Sequence, residues 1–139
     1  MIMAPLGKHV ILELYGCNGD LLDDPQFTEG TMRAAIKLAG MHLRQFSLEK
    51  FEPIGLTACA VLSESHMTLH TFPELGYCAA DVFTCGQEGD PLKASQYLLD
   101  VFQPTHHSLL ELKRGVELVS SDFDPRYQAL MMQEGDVNA

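Results

Sequence analysis

The sequence predicts an α+β fold in which an antiparallel sheet has helices packed on one face, a two-layer α/β sandwich. Three observations support this prediction. Six segments are rich in β-forming residues, two segments carry apolar residues at helical spacing, and four strand segments follow one another between the two helices. Strands grouped in this way favour antiparallel pairing. A length of 139 residues fits a single domain over 1–139.

The elements can be assigned in order along the chain. The first strand, "KHVILELY", is followed by the turn-rich connection "GCNGDLLDDP". Gly40 is positioned to cap the first helix, whereas Asp90 as N-cap and Pro91 at the first helical position open the second. The predicted strands are 8–15, 42–51, 55–63, 66–72, 77–85 and 106–114, and the first helix is 27–38. Residues 116–139 lack a strong period, and we expect them to form a flexible tail.

Charge and hydropathy narrow the classes of partner. The formal net charge of −10 argues against nucleic acid or an anionic membrane, and it is compatible with a cationic small molecule. No apolar run approaches the ~20 residues needed to span a bilayer. The start "MIMAPLGKH" lacks the features of a signal peptide, so we expect a cytoplasmic protein whose four cysteines stay reduced.

The segment 62–86, "LSESHMTLHTFPELGYCAADVFTCG", concentrates reactive side chains among strand-forming residues. His66 and His70 are four residues apart, a spacing that would let them share a zinc ion on a helix. On a strand they lie roughly 13 Å apart, so we expect no metal site. Cys85 could be the nucleophile of a Cys–His hydrolase, although the sequence pairs it with no particular histidine.

Ser65 offers a different chemistry. Its hydroxyl can attack the preceding carbonyl and convert the Glu64–Ser65 amide into an ester. A base that removes the Ser65 α-proton would then expel the ester by β-elimination. The dehydroalanine that remains hydrolyses to a pyruvoyl group, so the chain would make its own electrophile without an added cofactor.

The motif "SESHMTLHTFPELGYCAADVFTCG" resembles the signature of the short prokaryotic class of S-adenosylmethionine decarboxylase proenzymes. The resemblance extends to "LGKHVILELYGC", "DDPQFTEGTMRAA" and "DPLKA", and covers residues 6–115. It implies self-cleavage between Glu64 and Ser65 into a β chain of 1–64 and an α chain of 65–139, which Ser65 heads as the pyruvoyl group. It also implies a homodimer of αβ units with each active site near the subunit boundary.

The resemblance assigns roles to three further residues in the reaction. His70 matches the base that removes the serine α-proton, and Thr57 matches a hydroxyl that assists the acyl shift. Cys85 matches the thiol that returns a proton to the substrate α-carbon. Cys59 and Cys78 have no counterpart in this role, and we expect both to lie in the core.

Recognition of the substrate is expected to fall to three other residues. Phe51 and Phe72 resemble the aromatic pocket residues of the family, and Glu74 resembles its substrate-binding carboxylate. Aromatic rings can stack on adenine, and a sulfonium cation can lie against a ring or a carboxylate. Phe72 stands where many relatives have tryptophan, and this chain contains no tryptophan.

The implied activity is decarboxylation of S-adenosylmethionine through a Schiff base on the pyruvoyl group, which would supply spermidine biosynthesis. Relatives of the same fold decarboxylate arginine or ornithine, and because the chemistry at the α-carbon is shared, this alternative stays open. A third interpretation is an inactive relative that acts as a binding or regulatory subunit. The presence of Ser65, His70 and Cys85 together argues against it.

Overall fold

A computed structural model describes residues 5–86 and 88–115. In this part of the chain, six strands form one antiparallel sheet. The strands are β1 (Gly7–Tyr15), β2 (Leu43–Lys50), β3 (Leu56–Leu62), β4 (Ser65–Phe72), β5 (Tyr77–Cys85) and β6 (His106–Arg114). The helices are α1 (Gly19–Leu22), α2 (Pro25–Leu38) and α3 (Pro91–Phe102), and a 3-10 turn spans Pro73–Leu75. The tail predicted for 116–139 lies outside the described residues.

The strand order across the sheet is β2-β3-β4-β5-β1-β6. Consecutive strands β2 to β5 pair as neighbours, which agrees with the grouping seen in the sequence. The first strand then lies between β5 and the last strand, with Val10 opposite Val82 on one side and Glu111 on the other. All five strand pairs are antiparallel, as predicted.

One face of the sheet forms the core against α2 and α3. Side chains alternate along each strand, so every second residue is buried along β3 and β5, along β1 from Val10, and along β4 from Met67. The largest fully buried side chains on the sheet are Val10, Leu12, Leu14, Leu56, Met67, Leu69 and Val82, and those on the helices include Met32 and Leu98. The predicted α+β sandwich with helices on one face is confirmed.

The ends of α2 show why its bounds differ from the prediction. The Asp24 carboxylate accepts a hydrogen bond from the Phe27 N–H, and Pro25 follows at the first helical position. The helix therefore begins two residues before Phe27. It ends as predicted, because Gly40 takes a φ of +71° and donates its N–H to the Lys37 carbonyl.

The short helix α1 was not predicted. It lies in the connection expected to be all turn, and the Asn18 side chain caps it by accepting from the Asp20 and Leu21 N–H groups. Among the described residues, no helix is long and apolar enough to cross a membrane.

The second face of the sheet, which we call the open face, carries no helix from the described part of the chain. It presents the other set of alternating side chains, including half-buried Cys59 on β3. Cys59 therefore lies outside the core in which it was expected. Cys78 is fully buried as predicted, and burial raises the pKa of its thiol.

Candidate active site

The hairpin between β3 and β4 holds the peptide bond singled out by the sequence. Ser63 and Glu64 form its two-residue turn, and Leu62 pairs with Ser65 across it. Ser65 has a φ of +155°, a conformation that residues with a side chain rarely adopt. Such a conformation typically costs about 1–3 kcal/mol and persists only where the surroundings enforce it. The strain therefore lies directly beside the Glu64–Ser65 bond.

Glu64 is fixed through both its main chain and its side chain. Its carbonyl oxygen accepts a hydrogen bond from the Cys85 N–H at 2.8 Å, which polarises the carbonyl toward attack. Its buried carboxylate accepts from the His42 main-chain N–H at 2.9 Å and lies 2.9 Å from His42 Nδ1. The carbonyl before Ser65 is therefore held in place with a donor on its oxygen.

A cleft of about 290 Å³ opens beside this bond. Its lining residues are His42, Ser63, Glu64, Cys85, Gly86 and Glu88. The Cys85 side chain is exposed on the open face at the end of β5. The cleft thus brings together Glu64, the residue before the predicted cut, and Cys85, the predicted proton donor.

A hydrogen-bond network leads from Ser65 into the open face. Ser65 Oγ lies 3.3 Å from His66 Nδ1, and His66 Nε2 lies 3.1 Å from Asp81 Oδ2. His9 Nε2 lies 2.6 Å from the same carboxylate oxygen, and the Thr68 hydroxyl donates to the other oxygen. Burial raises the pKa of Asp81, but these hydrogen bonds outweigh it and hold the pKa below its ordinary value.

Among the described residues, one set has donor types and positions that could hold a metal ion, with ligand atoms within 4.8 Å of one another: His9, His66 and Asp81. The Asp81 carboxylate, however, already has hydrogen-bond partners on both of its oxygens. His66 and His70, by contrast, lie on a strand, which keeps them apart as expected from their spacing.

The other predicted residues lie at the far end of β4. Thr57 and His70 are cross-strand neighbours, and Thr57 Oγ1 lies 3.0 Å from His70 Nδ1. Phe72 stacks on Tyr77 with 5.4 Å between ring centroids, and Tyr77 stacks in turn on Tyr15. Burial and the Glu13 carboxylate raise the pKa of Tyr77, whose hydroxyl donates to that carboxylate.

Glu74 and Phe51 lie beside this end of the sheet. Glu74 is exposed in the 3-10 turn, and Phe51 is 47% exposed in the loop after β2. Asp23 anchors that loop, because its carboxylate accepts from the Gly55 N–H at 2.8 Å and lies 3.0 Å from Lys50 Nζ. The hydrogen bond from Gly55, followed by the Lys50 contact, lowers the pKa of Asp23.

The predicted site residues therefore lie near the two ends of β4. We call Glu64, Ser65 and Cys85, together with the unpredicted His66, the serine cluster, and Thr57, His70 and Phe72 the histidine cluster. Ser65 and His70 are five residues apart on one strand, which separates them by about 16 Å at ~3.3 Å per residue. A single copy of the chain does not bring the two clusters together.

Four contributors to the serine cluster were not predicted: the His66 ring, the His42 contacts, the Asp81 carboxylate and the Cys85 N–H. His66 was noted in the sequence only for its spacing from His70. Asp81 had a sequence signal, since it is the one acidic residue within a strand segment that otherwise alternates small and apolar residues. His42 and the Cys85 N–H had none, because their roles depend on which strands become neighbours.

Comparison with known proteins agrees with the motif. The family model described as S-adenosylmethionine decarboxylase matches residues 8–115. The S-adenosylmethionine decarboxylase proenzyme of Carboxydothermus hydrogenoformans is 46% identical over 114 residues, which cover 82% of this chain and 90% of that protein. That of Caldicellulosiruptor saccharolyticus is 43% identical, with 82% and 92% covered.

Solved structures show the same fold. The adenosylmethionine decarboxylase from Aquifex aeolicus VF5 superposes with a TM-score of 0.78 at 28% identity, covering 84% of this chain and 96% of that one. The Trypanosoma brucei AdoMetDC-delta26 monomer shares the fold at 18% identity, with a TM-score of 0.56, 75% of this chain and 45% of that one. From its motif, its fold and its relatives, the chain belongs to the S-adenosylmethionine decarboxylase family.

Proposed function

We propose that the chain is a proenzyme that cuts itself between Glu64 and Ser65 and then decarboxylates S-adenosylmethionine with a pyruvoyl group made from Ser65. The observation that carries this proposal is the arrangement at the hairpin. Ser65 is strained, and the carbonyl before it is fixed by the Cys85 N–H. Ser65 and Cys85 both stand in the motif by which this chain resembles the family, within the residues that the family model matches.

The arrangement suits formation of a pyruvoyl group. Attack of Ser65 Oγ on the Glu64 carbonyl carbon breaks the peptide C–N bond, leaves an ester and frees the Ser65 amine. Removal of the Ser65 α-proton then expels the Glu64 carboxylate and leaves dehydroalanine. Its enamine tautomerises to an imine, and hydrolysis releases ammonia and leaves the ketone. The first step relieves the backbone strain at Ser65.

The second step needs the base that the motif assigns to it, His70, and this residue is not within reach of Ser65 in one copy of the chain. His70 lies too far along β4 to reach the α-proton of its own Ser65. The two clusters lie at opposite ends of the open face. In a dimer whose two open faces pack against each other, a two-fold axis perpendicular to the strands places opposite ends of the two β4 strands together. His70 of one copy then lies against Ser65 of the other.

The open face has the character of a surface that packs against a partner. Val61, Leu110 and Leu112 occupy it at 42%, 55% and 37% exposure, although they are large apolar side chains. We therefore include a homodimer, with two shared active sites, in the proposal. In this arrangement Thr57 orients the His70 ring through Nδ1, and the opposite ring nitrogen faces the partner's serine.

Decarboxylation then divides the work between the clusters. The pyruvoyl ketone, once formed, supplies the electron sink for the charge left when carbon dioxide departs. The exposed Cys85 side chain lines a cleft together with Glu64, the residue before Ser65, and its thiol returns a proton to the substrate α-carbon. Phe51, Phe72 and Glu74 of the other copy bind the adenine ring, ribose and sulfonium of the substrate.

Substrate identity is tested by carbon dioxide release from S-adenosylmethionine, arginine and ornithine, each given separately to purified protein, with Ser65→Ala as the blank. We expect release from S-adenosylmethionine alone, because the relatives named above are S-adenosylmethionine decarboxylases. Release from arginine or ornithine instead would contradict the substrate assignment. Denaturing mass spectrometry should show chains of 1–64 and 65–139, and a single intact chain would contradict self-cleavage.

A further inference from the structure

We propose that His66 is the catalytic base of the first self-processing step, in which it takes the hydroxyl proton of Ser65, and that Asp81 is the positioning residue that orients it. This inference rests on the proposed self-cleavage and names a residue to which the family motif gave no role. The Asp81–His66–Ser65 chain of contacts has the same order of groups as a hydrolase triad.

The hydrogen-bond partners fix the tautomers of both histidines. Arg114 can only donate, so its Nη1, 2.9 Å from His9 Nδ1, leaves that nitrogen unprotonated and places the proton of neutral His9 on Nε2. His9 Nε2–H then donates to Asp81. On His66, Nε2 faces the same carboxylate oxygen and must also donate. The Nδ1 lone pair of neutral His66 is therefore directed at Ser65 Oγ.

Other bases near Ser65 are engaged elsewhere. The Glu64 carboxylate is buried and occupied by the two His42 contacts. His70 of the same chain lies at the far end of β4. Among the described residues, His66 is the side chain that makes a hydrogen bond with Ser65 Oγ. Its distance of 3.3 Å is typical of a catalytic contact that tightens as the reaction begins.

The proton and electron pairs balance within this group of atoms. His66 Nδ1 takes the Ser65 hydroxyl proton as Oγ attacks the Glu64 carbonyl carbon, and the Cys85 N–H holds the oxyanion that forms. The tetrahedral intermediate collapses by breaking the C–N bond. His66 returns its proton to the departing Ser65 nitrogen. The ester is complete and His66 is neutral again.

The first experiment isolates this step in a His70→Ala background, where processing is expected to stop at the ester. Hydroxylamine at neutral pH cleaves an ester far faster than a peptide bond, and the fragments 1–64 and 65–139 distinguish this cut from one at Asn18–Gly19. The rate at which these two fragments appear therefore reports ester formation. We expect added His66→Gln to lower this rate by about 10²-fold or more. His9→Gln, which removes the other imidazole from the same carboxylate, is the matched control and should lower it far less. Equal losses in the two variants would overturn the proposal.

The second experiment separates a chemical role from a structural one by changing the nucleophile. A thiol needs less help from a base than a hydroxyl, because part of it is already ionised near neutral pH. With Ser65→Cys in the same background, hydroxylamine traps the thioester. We expect the penalty of His66→Gln to fall below about tenfold there. An equal penalty with serine and cysteine would mean that His66 only supports the hairpin.

The two proposals fail in different ways. If the unmodified chain stays whole, self-cleavage itself is wrong. If it splits and His66→Gln splits at the same rate, self-cleavage stands and the role of His66 is wrong. Thermal unfolding of each variant confirms that a lost rate does not come from lost folding.

Discussion

The two ends of β4 differ in how completely their groups are partnered. At the Ser65 end, the Glu64 carbonyl, the Glu64 carboxylate and both nitrogens of His66 have hydrogen-bond partners in the same chain. At the His70 end, His70 is exposed and contacts Thr57, whereas Phe72 is 41% exposed although it is a large aromatic residue. The polar groups at the Ser65 end are therefore fixed by hydrogen bonds within the chain, whereas His70 and Phe72 at the other end are exposed.

On the proposed function, this difference means that one chain carries two unlike halves of a site. The serine cluster would hold the atoms that react, in a strained and fixed geometry. The histidine cluster would hold a base and a binding surface whose counterpart belongs to a second copy. Substitutions in the two halves should then have different effects, the largest of them at Ser65.

Ser65→Ala should abolish both cleavage and decarboxylation, because alanine has no nucleophile and no pyruvoyl group can form. Denaturing mass spectrometry and carbon dioxide release measure the two losses. Ser63→Ala, in the same turn, is the matched control and should still cleave. Cleavage of the Ser65→Ala chain would remove this residue from the reaction.

His70→Ala alone should stop at the ester, but co-expression with Ser65→Ala should restore cleavage of the His70→Ala chain. In the mixed dimer, one site combines an intact Ser65 with an intact His70 from the other copy. Mass tags on the two variants identify which chain is cut. No restoration, despite mixed dimers on a native gel, would mean that the two residues do not act across the subunit boundary.

Cys85→Ser should still cleave, because the main-chain N–H that holds the Glu64 carbonyl is retained. Its turnover should fall by roughly 10²–10⁴-fold, since a hydroxyl is a poorer proton donor to carbon at neutral pH. Cys59→Ser, a thiol on the same face, is the control. Normal kcat in Cys85→Ser would show that another group returns the proton.

Phe72→Ala should leave cleavage intact and raise KM by roughly fivefold, the size expected for losing one aromatic contact of about 1 kcal/mol. Steady-state kinetics on processed enzyme separates KM from kcat. A fall in kcat with an unchanged KM would place Phe72 with the reacting groups and break the division between the two halves.

Asp81→Asn should destabilise the fold at neutral pH by an amount on the order of 1–3 kcal/mol, the range for hydrogen bonds to a charged group. The folded pKa of Asp81 is depressed, so its contribution is present above the unfolded pKa near 4 and is lost as pH falls through the lower folded value. Urea unfolding at pH 7 and pH 3 should show the two proteins converging at low pH. A constant difference would contradict the assignment.

Much of the fold was predictable because its signals are local. Strand β5 and α3 begin where the sequence indicated, and the Asp–Pro pair that marked α3 at Asp90 also occurs at Asp24, where it was not used. The missed helix α1 is one turn long, and its cap is a single asparagine. Short elements of this kind have too little periodicity to stand out.

The site was predictable only in part, for a physical reason. The motif identified Ser65, His70 and Cys85, but it could not show that Ser65 and His70 are held apart by the strand they share. The network of His9, His66 and Asp81 joins residues 72 and 15 positions apart, which become neighbours only through the order of β4, β5 and β1. Pairing between distant strands leaves no local mark on the sequence.

The position of β1 between β5 and β6 has a consequence for the cleaved protein. Cutting at Glu64 assigns β1, β2 and β3 to one fragment and β4, β5 and β6 to the other. The fragments are then interlocked, since the first contributes a central strand to the second and also pairs with it along β3 and β4. Separating them means breaking three strand interfaces at once. The cleaved protein should therefore hold together as one unit. After full denaturation, however, its refolding would require two separate fragments to associate.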